Sequence, residues 1–174
     1  LSIRLRENTT QITLRSASRD TSEKALGDVW LQVAEGLTQF KQRMQVAEEA
    51  GLQADGQVPD GLREEVRRGF RAFSQMLKDR VLDAPELSSE VIDEIGRRVQ
   101  RDVLPYLLLT GTAERLYAKP RGYAGDFLSI EQMYKQSPHG IGRLGPVLDH
   151  CFLEEPAARA VMNRRGLLAE EIEE

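Results

Sequence analysis

The residues best suited to chemistry lie close together in the stretch "YAKPRGYAGD". Two tyrosines, two cations, two glycines, a proline and an acid fall between Tyr117 and Asp126. Tyr117 and Tyr123 each offer an aromatic face and a hydroxyl. Lys119 and Arg121 are cationic donors, and Asp126 brings a carboxylate. Pro120 fixes its own φ and biases Lys119 toward an extended conformation. Gly122 and Gly125 permit a left-handed backbone or a close approach. Such a set suits a small polar ligand with an anionic or aromatic part. It equally suits a tight interhelical turn in which Tyr123 and Asp126 are the cap and the anchor.

The other titratable groups form no comparable constellation. His139, His150 and Cys151 are the only histidines and the only cysteine. Adjacent residues on a helix diverge by about 100°, so His150 and Cys151 are poorly placed to share a metal. The expectation is an exposed His139 with His150 and Cys151 packed inside, and no metal site. The stretch "GIGRLG" matches G-x-G-x-x-G, but "YKQSPH" before it is polar and turn-like rather than a buried strand. It therefore reads as a surface turn and not as a dinucleotide loop. "EEVRRGFR" and "DEIGRRVQRD" read as solvated helix faces with local ion pairs.

Around the loop the pattern is helical. Leu26, Val29, Trp30, Val33, Leu37, Phe40, Met44 and Ala47 recur at steps of three and four, which predicts a helix from about residue 20 to 50. Asp20 with Glu23 resembles a capping pair, and Gly51 a stop. A second helix is expected from about Pro59 to Val81. A third follows Ser88 or Ser89 and ends or kinks near Pro105. Shorter helices follow in "LSIEQMYKQ" and "PVLDHCFLEE", and a final one opens at Pro156. The aromatics Trp30, Phe40, Phe70 and Phe73 belong to a core at that spacing. In "SIRLRENTTQITLRS" apolar and polar residues alternate about a polar turn, which predicts a short N-terminal β-hairpin.

The fold class expected is mainly α, a helical bundle-like domain with that hairpin. Residues 1–19 form the hairpin or the tail of an upstream domain, and residues 20–174 the helical domain. The latter divides into a long-helix part, 20–110, and a lid-like part, 111–174. The chain starts at Leu1 and ends in "LLAEEIEE", a helix pattern still running, so both ends are expected to be cut from a longer protein. A length of 174 residues suffices for a real core, and a net charge of −4 argues against nucleic acid as a partner. One cysteine fits a reducing cytoplasm, and no apolar run approaches the ~20 residues of a membrane span.

Two motifs, "KPRGYAGDF" (119–127) and "PAARAVMNRRGLL" (156–168), resemble the region just upstream of the catalytic domain in a group of bacterial class I S-adenosylmethionine-dependent methyltransferases, the 3-hydroxypalmitate methyl ester synthase-like group. The resemblance covers about residues 113–172. It implies a helical substrate-binding and lid portion that is not active alone, because the cofactor-binding sheet would follow in a C-terminal catalytic domain. It implies S-adenosylmethionine as cofactor and a fatty-acid-type carboxylate as acceptor. Tyr117, Lys119, Arg121, Tyr123, Gly125 and Asp126 would line the cofactor junction. Asn163, Arg164 and Arg165 would face the missing domain or the cofactor carboxylate. No residue of this chain is expected to be catalytic in the strict sense. The other reading is a non-catalytic helical regulatory or dimerisation module, in which the long helices pair with a second copy.

Overall fold

In a computed structural model the backbone is described for residues 2–173. The side chains of residues 2–23, 25, 165, 169, 170, 172 and 173 lie outside that description. Among the described residues seven α-helices follow one another: α1 (Ser2–Gln53), α2 (Asp60–Leu77), α3 (Ser89–Leu107), α4 (Gly111–Ala118), α5 (Phe127–Lys135), α6 (Leu144–Leu153) and α7 (Pro156–Glu173). A π-helical turn, Lys78–Leu82, extends α2. The described residues form no strand, only one antiparallel bridge between Thr110 and Gly140. The mainly α, bundle-like architecture is as the periodicity predicts.

The N-terminal hairpin is not formed. Residues 3–14 are the first turns of α1, which runs through Asp20 and Glu23 without a break. A lone pair of strands leaves two edges unpaired and is marginal in water. A helix satisfies its own backbone instead, and an uninterrupted one has no free N–H groups for a capping pair to meet. Gly51 is likewise inside α1, and the chain turns two residues beyond its end, where Asp55 and Gly56 take positive φ angles of 50° and 84°.

The core is built where the stripes meet. Val29, Val33, Leu37, Phe40, Met44 and Ala47 of α1 are all buried. They face Val66 of α2, Ile95 and Val103 of α3, and Leu144, Val147 and Leu148 of α6. Phe40 lies at the centre of an aromatic group, 6.4 Å from Phe70, 6.1 Å from Phe73 and 5.2 Å edge-on from Tyr106. Helix α6 is the hub of the second half, in contact with α1, α2, α3, α4 and α7. Helix α3 passes through Pro105 and stops two residues later, at Leu107.

Around α6 the backbones come unusually close. Gly140 and Gly145 lie against the Leu109 carbonyl, where an added Cβ would meet that oxygen at 2.3 and 2.5 Å respectively. The Ile141 N–H donates to the same carbonyl at 2.7 Å, and the Gly111 N–H donates to the His139 carbonyl at 3.0 Å. The G-x-G-x-x-G stretch thus lets the α3–α4 and α5–α6 connections cross, with no strand before it.

Candidate functional site

The loop of residues 117–126 joins α4 to α5, and two buried features hold it from below. Helix α4 starts at Thr110, whose Oγ1 accepts from the Ala113 N–H at 3.0 Å and donates to the Leu107 carbonyl at 2.7 Å. It ends at Lys119, which takes the left-handed conformation (φ 47°, ψ 55°) rather than the extended one expected before a proline, because its N–H closes the helix end by donating to the Arg115 carbonyl. The Gly122 N–H then donates to the Lys119 carbonyl at 2.8 Å, closing a turn with Pro120 and Arg121 at its apex. Gly122 has φ 88°, a conformation that favours glycine.

Asp126 ends the loop as the N-cap of α5, fully buried. Its carboxylate accepts from the Leu128 and Ser129 N–H groups at 2.9 and 3.2 Å and from Ser129 Oγ at 3.3 Å. An Arg115 guanidinium nitrogen donates to both of its oxygens, at 2.9 and 3.0 Å. The Arg115 hydrogen bond is the main cause holding this carboxyl below its usual range, helped by the two N–H groups and opposed by desolvation.

A second buried carboxylate braces the same region. Asp149 of α6 has no exposed surface. It accepts from the Thr112 N–H at 2.9 Å, Thr112 Oγ1 at 3.2 Å and the His139 N–H at 3.0 Å. It therefore ties the start of α4 and the α5–α6 connection to the hub helix.

The outward side of the loop is different. Tyr117 and Tyr123 are 55% and 58% exposed, and Phe127 beside them is 69% exposed. Lys119, Arg121 and Gly125 are exposed as well. The side chains of Tyr117, Lys119, Arg121 and Tyr123 make no hydrogen bond or ion pair among the described residues. Of the six candidates in the loop, five thus present themselves together, while Asp126 is committed to the turn. Arg164 is exposed on α7, and the Arg165 side chain lies outside the described residues. Asn163 lines a cleft against α2 rather than the loop.

Of the clefts that lie elsewhere among the described residues, three stand out. One, of about 660 Å³, is walled by Arg63, Arg143 and His150, with Arg143 held by Glu48 at 2.9 Å. A second, of about 680 Å³, runs between α2 and the α6–α7 junction. The third, about 320 Å³, is an apolar groove under the π-helical turn, lined by Leu77, Val81, Ile92, Ile95, Val99 and Leu107. Residues 117–126 line none of them.

Two histidine-region expectations resolve differently. Cys151 is buried, and desolvation pushes its thiol up to about 12. His150 is half-exposed rather than packed, with Nε2 3.7 Å from Glu154. With Cys151 turned to the core, its neighbour is rotated away from it. His139 is half-exposed, as expected, with Nδ1 3.1 Å from the Ser137 carbonyl and 3.4 Å from Asp149. Arg115 and Asp149 were not among the residues singled out from sequence. A lone acid inside the apolar run "LGPVLDHCFL" is a signal for the second; nothing local marks the first.

The class this geometry defines is an α-helical protein that presents one braced, outward-facing loop. The chain matches no family model, no curated protein and no solved structure. No helix among the described residues is long and apolar enough to cross a membrane.

Proposed function

We propose that this chain is the helical substrate-binding and lid portion of a cytoplasmic S-adenosylmethionine-dependent methyltransferase acting on a fatty-acid-type carboxylate, and that it is inactive without its own C-terminal catalytic domain. The observation that carries the reading is the loop. Tyr117, Lys119, Arg121 and Tyr123 are exposed groups without a hydrogen bond or ion pair among the described residues, on a base braced by Asp126 and Asp149, and they line none of the three clefts above. A second surface laid against them would complete a site.

The residues fit the cofactor in part. Aromatic faces at Tyr117 and Tyr123 suit a cationic sulfonium. Lys119 and Arg121 suit a carboxylate, and exposed Gly125 allows close approach. Asp126 does not fit a contact role, because its oxygens are already taken by Arg115 and the α5 N-terminus. It positions the loop. S-adenosylmethionine would supply the methyl group. An acceptor carboxylate is ionised at neutral pH and needs no general base, so this chain would contribute orientation and exclusion of water. The apolar groove of about 320 Å³ beside α3 is the size of a small-ligand pocket and would suit part of an acyl chain.

Calorimetric titration of S-adenosylmethionine and S-adenosylhomocysteine into this chain and into the full-length gene product tests the reading. The expected result is binding by the longer protein alone, weakened about tenfold or more by Tyr123→Ala. Failure of the longer protein to bind either compound overturns it.

A second reading, a regulatory or dimerisation module, is favoured by the apolar residues that α1 leaves outside: Leu31, Val46 and Leu52 are 58%, 45% and 61% exposed. Sedimentation equilibrium decides it, since a monomer mass at all concentrations removes the dimer.

A further inference from the structure

The cleft between α2 and the α6–α7 junction lies apart from the loop, and its walls carry cations, an amide and apolar side chains. One wall carries Arg67, Arg71 and Ser74 of α2, spaced by four and three residues so that they share one face of the helix, and Lys78 at the start of the π-helical turn that extends it. The opposite wall carries Arg159 and Asn163, one turn apart on α7. The apolar residues between the walls are Phe70, Cys151, Pro156 and Ala160. At about 680 Å³ the cleft falls well inside the ~300–1,000 Å³ range of small-molecule sites.

Several of these polar groups are spent, and which ones decides what the cleft can bind. Arg67 is held by Glu154 at 2.5 and 3.3 Å and by Glu64 at 2.8 Å. Ser74 donates to Glu155 at 2.7 Å, and Lys78 pairs with Asp83. Arg71 gives a single nitrogen to Glu154 at 3.2 Å and is 61% exposed. The Arg159 guanidinium and the Asn163 amide make no hydrogen bond or ion pair among the described residues. Both carboxylates of the cleft, Glu154 and Glu155, are thus engaged from α2, while Arg159, Asn163 and the rest of Arg71 remain as donors. Two guanidinium groups and an amide above an apolar floor match a planar or tetrahedral oxyanion attached to an apolar body.

We propose that this cleft binds a small organic anion, with a phosphoryl or carboxylate head held by Arg71, Arg159 and Asn163 and its apolar body against Phe70, Pro156 and Ala160. This assignment does not rest on the methyltransferase reading: it is argued from the cleft alone, and Asn163 is the one residue it shares with that resemblance.

Calorimetry on the chain with phenyl phosphate, benzoate, inorganic phosphate and benzyl alcohol tests it. At least one aryl anion should bind, and the tighter of the two identifies the head group. Inorganic phosphate should bind about tenfold more weakly or worse, benzyl alcohol should give no heat, and added salt should weaken binding. Arg159→Gln and Arg71→Gln, both at exposed positions, should each cost about tenfold in affinity with unchanged helical circular dichroism. No binding of either aryl anion overturns the proposal. So does equal binding of benzyl alcohol, or unchanged affinity in both variants.

Discussion

One guanidinium nitrogen of Arg115 stands 2.9 and 3.0 Å from the two carboxylate oxygens of Asp126, eleven residues away across the α4–α5 loop. The same carboxylate caps α5 through the Leu128 and Ser129 N–H groups. A single buried acid therefore fixes both ends of the loop: where α5 begins, and how α4 lies against it.

This pair makes the loop acid-sensitive. The Asp126 carboxyl is held below its usual range, mainly by Arg115, so the folded state binds its proton more weakly than the unfolded chain does. Its stabilising contribution is complete above the unfolded value of about 4 and is lost as pH falls through the lower folded value. Asp126→Asn keeps a capping oxygen but removes the charge facing Arg115. The variant should melt several degrees lower at neutral pH, and the gap should close on acidification from about pH 5 to pH 2. Parallel melting curves for the two proteins across that range would contradict the assignment.

Asp149 should matter more for the whole fold than for the loop alone. Asp149→Ala leaves the Thr112 N–H, the Thr112 hydroxyl and the His139 N–H without their acceptor, at a fully buried position. Stranded buried donors cost about 1–3 kcal/mol each, partly relieved by water entry, so a loss of roughly 3 kcal/mol is expected in urea denaturation. A loss under about 1 kcal/mol would mean that the connections find other partners.

The long-helix half was legible because burial follows the 3.6-residue period. The stripe from Val29 to Ala47 can be read from residue types alone and is buried as such. The capping of α3 by Ser88 and the opening of α7 at Pro156 are also local signals. The first turns of α1 were not legible, since short alternation and helical spacing compete over few residues, and a helix that satisfies its own backbone prevails over a lone pair of strands. The loop's composition was visible, but the division of labour within it was not. Whether Asp126 faces a ligand or a helix terminus depends on Arg115, which lies outside the loop and reaches it only once α4 and α5 have packed. The role of Gly140 and Gly145 is likewise a property of two crossing connections far apart in sequence.

That crossing can be tested with paired glycine substitutions. A Cβ on Gly145 would stand 2.5 Å from the Leu109 carbonyl oxygen and 2.8 Å from the Gly140 carbonyl carbon, both backbone atoms with little freedom to move. Gly145→Ala should destabilise by about 1–3 kcal/mol even though alanine favours the helix. Gly27, inside α1, has nothing within 4 Å of such a Cβ, so Gly27→Ala should stabilise by up to about 1 kcal/mol. Equal shifts of the same sign in thermal melts would show that helix propensity rather than close approach governs Gly145.

Cys151 gives a reporter of how firmly α6 is seated. Its thiol is buried, donates to the Val147 carbonyl at 3.2 Å, and is pushed up to about 12 by desolvation, with the nearby Glu154 charge acting in the same direction. At pH 8 only about one thiol in ten thousand would then be ionised, whereas an ordinary cysteine near 8.5 is substantially so. Ellman's reagent should therefore label the native protein only as fast as α6 opens, and label it completely in urea. The labelling rate should rise in Asp149→Ala, which loosens the tie between α6 and α4, and stay near the parent rate in Arg159→Gln, which touches only the cleft surface. Rapid labelling of the native parent protein would mean that α6 is not the closed hub described above.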